Sequence, residues 1–231
     1  MEFVVPRARH LPDLLASASS ADLSVLADII TDNGNGRVAL DSKVKTTILA
    51  RQANGTLQFI PDVLDAEIRA FGSNSIATLF RSEGVSYLEL ATDAAKKLDG
   101  KLSDAADIFE IEEVVVFEAV RKYAGVKGIG DYATALGYVT QVVKGLISVA
   151  GTASGFAATG GAAGIAGAIG GRLLSMAVPP LAVAAAGATI FQAASPAFRI
   201  TVPAVLQIAK IRQARYDADY AAYKEKLRAC M

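Results

Sequence analysis

The stretch Gly151–Gly171, "GTASGFAATGGAAGIAGAIGG", constrains the fold more than any other part of the chain. It carries no charge and few large side chains. Nine glycines fall between Gly145 and Gly171. Each glycine in a helix exposed to water costs about 0.8–1 kcal/mol relative to alanine, so this stretch makes a poor solvated helix. In hydrocarbon the balance reverses. An unpaired backbone group costs several kcal/mol there, which forces the chain to be helical. Small residues four apart then let helices approach backbone to backbone. Gly151 and Gly155, then Gly160, Gly164 and Ala168, then Gly167 and Gly171 have that spacing. The pattern predicts a glycine zipper: a helical hairpin that packs on other helices, either in a membrane or buried within a soluble protein.

Charge supports a hairpin. About 26 uncharged residues separate Lys144 from Arg172, and about as many separate Arg172 from Arg199. A bilayer core takes roughly 20 apolar residues. Arg172 at the bilayer centre would cost about 2.5–3.5 kcal/mol. It is tolerated at the tip of a hairpin, at the far interface or facing water in a pore. In a soluble protein it would sit on a surface loop between two buried helices. Lys144 before the hairpin and Arg199, Lys210, Arg212 and Arg215 after it are basic flanks of the kind that stay cytoplasmic. "VPP" at Val178–Pro180 must kink or break the path.

The rest reads as helices, so the fold class is all-α. "SSADLSVLADIIT" has Ser19 or Ser20 as cap and Asp22 in its first turn, with Leu23, Leu26, Ile29 and Ile30 on one face. "IPDVLDAEIRAFG" starts at Pro61 and ends at Gly72. "SNSIATLFR" and "SYLELATDAAKKLDG" follow. "SDAADIFEIEEVVVFEAVRKYAG" begins with Ser103 as cap, acids early and bases late. Gly125, Gly128 and Gly130 read as a linker. Two parts are therefore expected, with net charges of −5 and +5. Residues 1–130 form an acidic helical domain. Residues 131–231 form the hairpin and a long C-terminal amphipathic helix.

Chemistry is sparse. The lone histidine, His10, lies near the N-terminus and reads as a surface residue, which leaves no Ser-His-Asp arrangement. "DGKLSD" lacks the first glycine and the spacing of a phosphate loop. "TDNGNGR" fails as a calcium loop, because Gly34 and Gly36 stand at ligand positions and Lys43 where the closing Glu belongs. The one cysteine, Cys230, permits no internal disulfide and no cysteine zinc site. Glu110, Glu112, Glu113 and Glu118 read as a solvated acidic face. No enzyme, cofactor or metal is expected.

The last helix carries a second feature. Tyr216, Tyr220 and Tyr223 recur at i, i+4 and i+7, with Arg212, Arg215, Lys224, Lys226 and Arg228 on and beside that face. Such a stripe is packing surface or a polyanion site. In the second case the rings stack on bases, or the cations hold anionic lipid heads. The candidate polyanion residues are Arg212, Arg215, Tyr216, Tyr220, Tyr223, Lys224 and Arg228.

Two stretches, "FGSNSIATLFRSEGVSYLEL" and "SPAFRITVPAVLQIAKIRQ", resemble the YaaW-like family of small bacterial proteins. The shared elements are the Ser19–Leu23 helix start, then Phe71, Gly72, Asn74, Leu79, Phe80 and Arg81. A closing segment adds Pro196, Ala197, Arg199, Thr201, Pro203, Ala204, Val205 and Gln207. The family implies no catalytic residues. The region 101–130 is shorter than the family's usual pattern. A further association is with ubiquinol–cytochrome c assembly chaperones. In layout, though not in matched residues, the chain is similar to the HalA membrane effectors of Hailong anti-phage defence. That layout implies a membrane-inserting, self-associating channel gated by its cytoplasmic domain and acting as a defence toxin. The expected assembly is a cyclic homo-oligomer, taken as a tetramer, in the cytoplasm and at or in the inner membrane. The alternative is a soluble or peripheral assembly factor that binds another helical protein.

Overall fold

The computed structural model describes residues 5–35, 40–72, 85–126, 128–156 and 196–230, with the backbone alone at 71–72, 148–156 and 196–199. Every element among these residues is helical: α1 (Leu11–Ala16), α2 (Ser20–Thr31), α3 (Ser42–Ala53), α4 (Pro61–Gly72), α5 (Tyr87–Lys97), α6 (Ile108–Ala119), α7 (Tyr132–Phe156) and α8 (Pro196–Ala229). A 3₁₀ turn spans Leu57–Phe59, and α6 runs on into a π turn at Val120–Ala124.

Local chemistry sets the helix starts. Ser19 caps α2 by accepting the Asp22 N–H at 3.1 Å. Ser86 with Glu89 and Asp107 with Glu110 form reciprocal capping boxes on α5 and α6. The α6 start therefore corrects the expectation at Ser103: the cap is Asp107, whose carboxylate accepts the Glu110 N–H at 2.9 Å. Between α5 and α6, Gly100 is needed for close approach. A Cβ there would meet Val114 Cγ1 at 2.5 Å.

The core is built around α8. Its first half, Ile200–Ala209 with Ile211 and Arg212, is buried, and α8 packs against α1, α2, α4, α5, α6 and α7. Ile200, Val202, Ala204, Val205, Leu206, Ile208, Ala209 and Ile211 face Leu23, Leu26, Leu64, Leu90, Val115, Val139 and Val143 within one continuous apolar cluster. Residues on both sides of Gly130 thus share a core. Pro203 lies inside α8, where it has no N–H to return to the helix ladder.

The directions of α7 and α8 matter most. Phe109 packs edge-on against Tyr132, the first residue of α7, and against Tyr216, late in α8, with ring centroids 5.7 and 6.2 Å apart. The buried residues of α7 follow Tyr132, whereas those of α8 precede Tyr216. The two helices therefore run antiparallel. The chain leaves α7 at Phe156 and re-enters α8 at Pro196 at the same end of the pair.

Leu206 is fully buried, so Leu206→Ala should cost about 2–5 kcal/mol. Leu88 is 48% exposed, and Leu88→Ala should stay within about 0.5 kcal/mol. Denaturant unfolding of both variants checks that α8, rather than the surface of α5, holds the body together.

Candidate functional site

The charges that matter lie on α8 at residues 207–219. Arg212 is 2% exposed and Glu112 of α6 is 1% exposed. Arg212 Nε donates to Glu112 Oε2 at 2.8 Å, and Tyr87 Oη donates to Glu112 Oε1 at 2.7 Å. Arg212 Nη1 donates to the Arg9 carbonyl at 3.0 Å. Three elements and the segment before α1 thus meet on one guanidinium. Burial pushes the Glu112 carboxyl up, against the opposing pull of Arg212. Burial works against the charge on Arg212, but Glu112 and Tyr87 outweigh it and hold its pKa up.

One helical turn earlier, α8 meets α2. Lys210 Nζ lies 2.9 Å from Asp22 Oδ1. Gln207 Nε2 donates to the Asp22 carbonyl and to Oδ1, each at 3.1 Å. Burial tends to raise the Asp22 pKa, but Ser19, Lys210 and Gln207 prevail and lower it. Two turns later, Asp219 accepts from Arg9 and, at 2.6 Å, from Arg215. Arg7 lies over the Phe109 ring at 4.2 Å. The segment Arg7–Arg9 is thus strapped across the middle of α8.

These positions correct two expectations. Glu112 is not part of a solvated acidic face: it points inward beside buried Ile111, Val115, Val116 and Ala119. Arg212 is not a surface cation for a polyanion, because it is spent on Glu112 inside the core. Of the other predicted residues, Arg215 is engaged with Asp219. Tyr216 and Tyr220 stack at 6.2 Å with ring planes 5° apart, and Lys224 covers Tyr220 at 4.5 Å. Tyr220 is therefore sandwiched along the row 216–220–224. Tyr223 is half-buried, and Lys224, Lys226 and Arg228 are exposed. Gly151 and Gly155 lie in the last turns of α7. Gly160, Gly164, Gly167, Gly171 and Arg172 lie outside the described residues, as does most of the hairpin. Among the described residues no helix is long and apolar enough to cross a membrane. No group of three or more His, Cys, Asp or Glu among them is placed to hold a metal.

The arrangement fixes how α8 sits, by burying charges that its register satisfies. Tyr87, Glu112, Asp22 and Arg9 were not singled out for this from the sequence. The available signal was a charge on an apolar face, since Glu112 lies three, four and seven residues before Val115, Val116 and Ala119.

No family model matches the sequence. Over 112 residues it is 27% identical to the UPF0174 protein YaaW of Escherichia coli O157:H7 and to that of strain K12, covering 47% of this chain and 47% of each relative. The chain is distantly similar to YaaW. It spans about half the length of the curated relatives it matches. No solved structure matches. Of the residues behind the YaaW-like resemblance, Ser19 caps α2, while Thr201, Pro203, Ala204, Val205 and Gln207 are buried in α8.

Removing one partner of a buried pair leaves the other charge unpaired, at about 3–5 kcal/mol. Arg212→Met should show that loss, and Glu112→Leu with Arg212→Met should recover most of it. A double-mutant cycle by denaturant unfolding measures the coupling. Asp22 has the opposite sign of shift from Glu112. Its lowered pKa contributes stability that is fully present above its ordinary value of 3.8 and is lost as pH falls through the folded value. Asp22→Asn should flatten that acid limb of a stability–pH profile and leave the profile above pH 5 parallel to wild type.

Proposed function

We propose that the chain is a membrane-inserting, self-associating channel effector whose helical body restrains the inserting segment. The observation that carries this reading is the antiparallel α7–α8 pair. It returns both ends of residues 157–195 to one end of the body. Those 39 residues carry a single charge, Arg172. As two helical legs they would each be about 19 residues, near the length that spans a bilayer core. Arg172 then falls close to the turn between the legs. The spacing of Gly160, Gly164, Gly167 and Gly171 suits close packing between legs or between copies.

A single hairpin of small residues cannot enclose water, so several copies must surround the path. A cyclic homo-oligomer, taken as a tetramer, is the expected assembly, at the inner membrane and in the service of anti-phage defence. In this reading α8 is the restraint. The buried Arg212–Glu112 contact fixes it against α6, and the Arg7–Arg9 strap holds it from outside. A polyanion, oligonucleotide or anionic lipid, would bind at the exposed cations Lys224, Lys226 and Arg228 and shift that restraint. An assembly factor that binds another helical protein is the second reading. The observation favouring it is Phe59, 67% exposed on the 3₁₀ turn.

Dye release from anionic liposomes tests the channel. Wild-type protein should release the dye. Gly160→Leu with Gly164→Leu should abolish release while the thermal unfolding of the body stays unchanged. Arg212→Met, by freeing α8, should raise the initial rate several-fold. Absence of release by wild type and by Arg212→Met alike would overturn the channel in favour of the assembly factor.

A further inference from the structure

We propose that the C-terminal half of α8 pairs with the same segment of a second copy as a short antiparallel coiled coil. This deepens the self-association proposed above but rests on a different part of the chain. The argument starts from spacing. Val202, Leu206, Ala209, Gln213, Tyr216, Tyr220, Tyr223, Leu227 and Cys230 follow one another at alternating steps of four and three residues. That 3.5-residue period is what a partner helix demands along a seam. The first members are consumed by the body: Val202 and Leu206 are fully buried and Ala209 nearly so. The later ones run off it. Tyr220 is 43% exposed, Leu227 is 48% exposed, and Cys230 is exposed. An apolar seam thus continues past the surface it packs on.

The flanking charges select the partner and its direction. With Tyr220 and Leu227 at a positions and Tyr216, Tyr223 and Cys230 at d, the e positions are Asp217 and Lys224. The g positions are Asp219 and Lys226. In an antiparallel pair e faces e and g faces g. Setting Tyr220 against Tyr223 of the second copy also sets Tyr216 against its Leu227. That register brings Asp217 to the other copy's Lys224, twice by symmetry, so two opposite-charge contacts line the seam, while Asp219 stays with Arg9 and Arg215 of its own copy. A parallel pair would offer Lys224 only that engaged Asp219 and leave Lys226 facing Met231. Self-complementary charge of this kind is the mark of an isologous two-fold contact. The seam also explains the tyrosines better than base stacking does, because Tyr216 and Lys224 already occupy the row on either side of Tyr220.

Cys230 is the one cysteine of the chain, so a nitroxide label there reports on pairing in the full-length protein without other changes. In the proposed register Cys230 lies level with Gln213 of the second copy. The two labels are then 17 residues apart along the axis, about 25 Å at 1.5 Å per residue. Pulsed dipolar spectroscopy should give an intermolecular distance of about 25–35 Å, the label linkers included. Lys224→Glu should weaken pairing roughly tenfold in a dilution series, since attraction becomes repulsion against Asp217 at two symmetric places. Asp217→Lys with Lys224→Glu should restore it. Asp217 and Lys224 are exposed, so the unfolding of the body should be unchanged in both variants. No dipolar signal, a distance under about 15 Å, or failure of the charge swap to rescue would each overturn the coil. Particle mass in detergent separates this from the channel reading. An oligomer without the long distance removes the coil alone. A dimer with it keeps the coil and removes the channel ring. Monomer throughout removes both.

Discussion

The structure depends on keeping two opposite charges out of water. Moving Arg212 and Glu112 into a core costs several kcal/mol per ion, and only tight pairing offsets it. Here the pairing is complete on the carboxylate side, with Arg212 on one oxygen and Tyr87 on the other. The contact adds little net stability over an apolar pair of similar volume. Its effect is to penalise every other placement of α8. A slide of one turn would carry the guanidinium about 5.4 Å, away from Glu112. Gln207, through its Nε2, and Lys210 both bond Asp22 on α2 and impose the same register from a second side. An apolar helix packed among six others could settle in several neighbouring positions. In the position it takes, Arg212, Lys210 and the Gln207 amide nitrogen each find a partner on another helix.

That constraint reaches the segment the described helices flank. Because α7 and α8 run antiparallel, the start of α8 and the end of α7 sit together, and α8 is continuous from Pro196 to Ala229. A helix transmits displacement along its axis with little loss. In the proposed channel, force on either end of α8 therefore reaches the other through residues 207–212, where charge burial resists movement. The Arg7–Arg9 strap adds resistance of a different kind. Its contacts, with the Arg212 guanidinium, Asp219 and the Phe109 ring, are partly exposed and so are cheaper to break.

The helices themselves were largely legible. Ser19 before an apolar face, Pro61 at a start and Gly72 at an end are local signals, and local signals survive in a single sequence. The α6 start was misplaced because Ser103 and Asp107 are both good caps. What decides between them is the reciprocal bond to Glu110, which depends on a side chain three residues on. Glu112 was misread for a different reason. Four glutamates in nine residues look solvated, and only the phase of Val115, Val116 and Ala119 shows that one of them turns inward. Arg212 posed the same problem, flanked by Ile208, Ala209 and Ile211. Its partner lies 100 residues away. No periodicity within α8 names that partner, because pairing across the fold is set by how α6 and α8 happen to cross. The resemblance to YaaW pointed at the right part of α8, since Thr201–Gln207 lies in the core, but not at what those residues do there.

The change of character within α8 follows from its length. Thirty-four residues make a helix of about 50 Å, whose buried residues end at Arg212. A sequence has two ways to solvate such an overhang. It can turn wholly polar, with apolar positions replaced all round, or it can keep a seam and cover it later. Here the alanines Ala218, Ala221 and Ala222 and the charges at 224–226 make most of the overhang compatible with water. Tyr220 and Leu227 keep the same phase as Val202 and Leu206. Within one copy that phase is only partly covered, since Leu227 stays 48% exposed. Tyrosine suits such a position better than leucine alone, since its ring buries well while its hydroxyl stays content in water. The overhang is therefore built to be soluble when bare and apolar enough to be covered. That is the balance expected of a contact that forms and releases rather than one that is permanent.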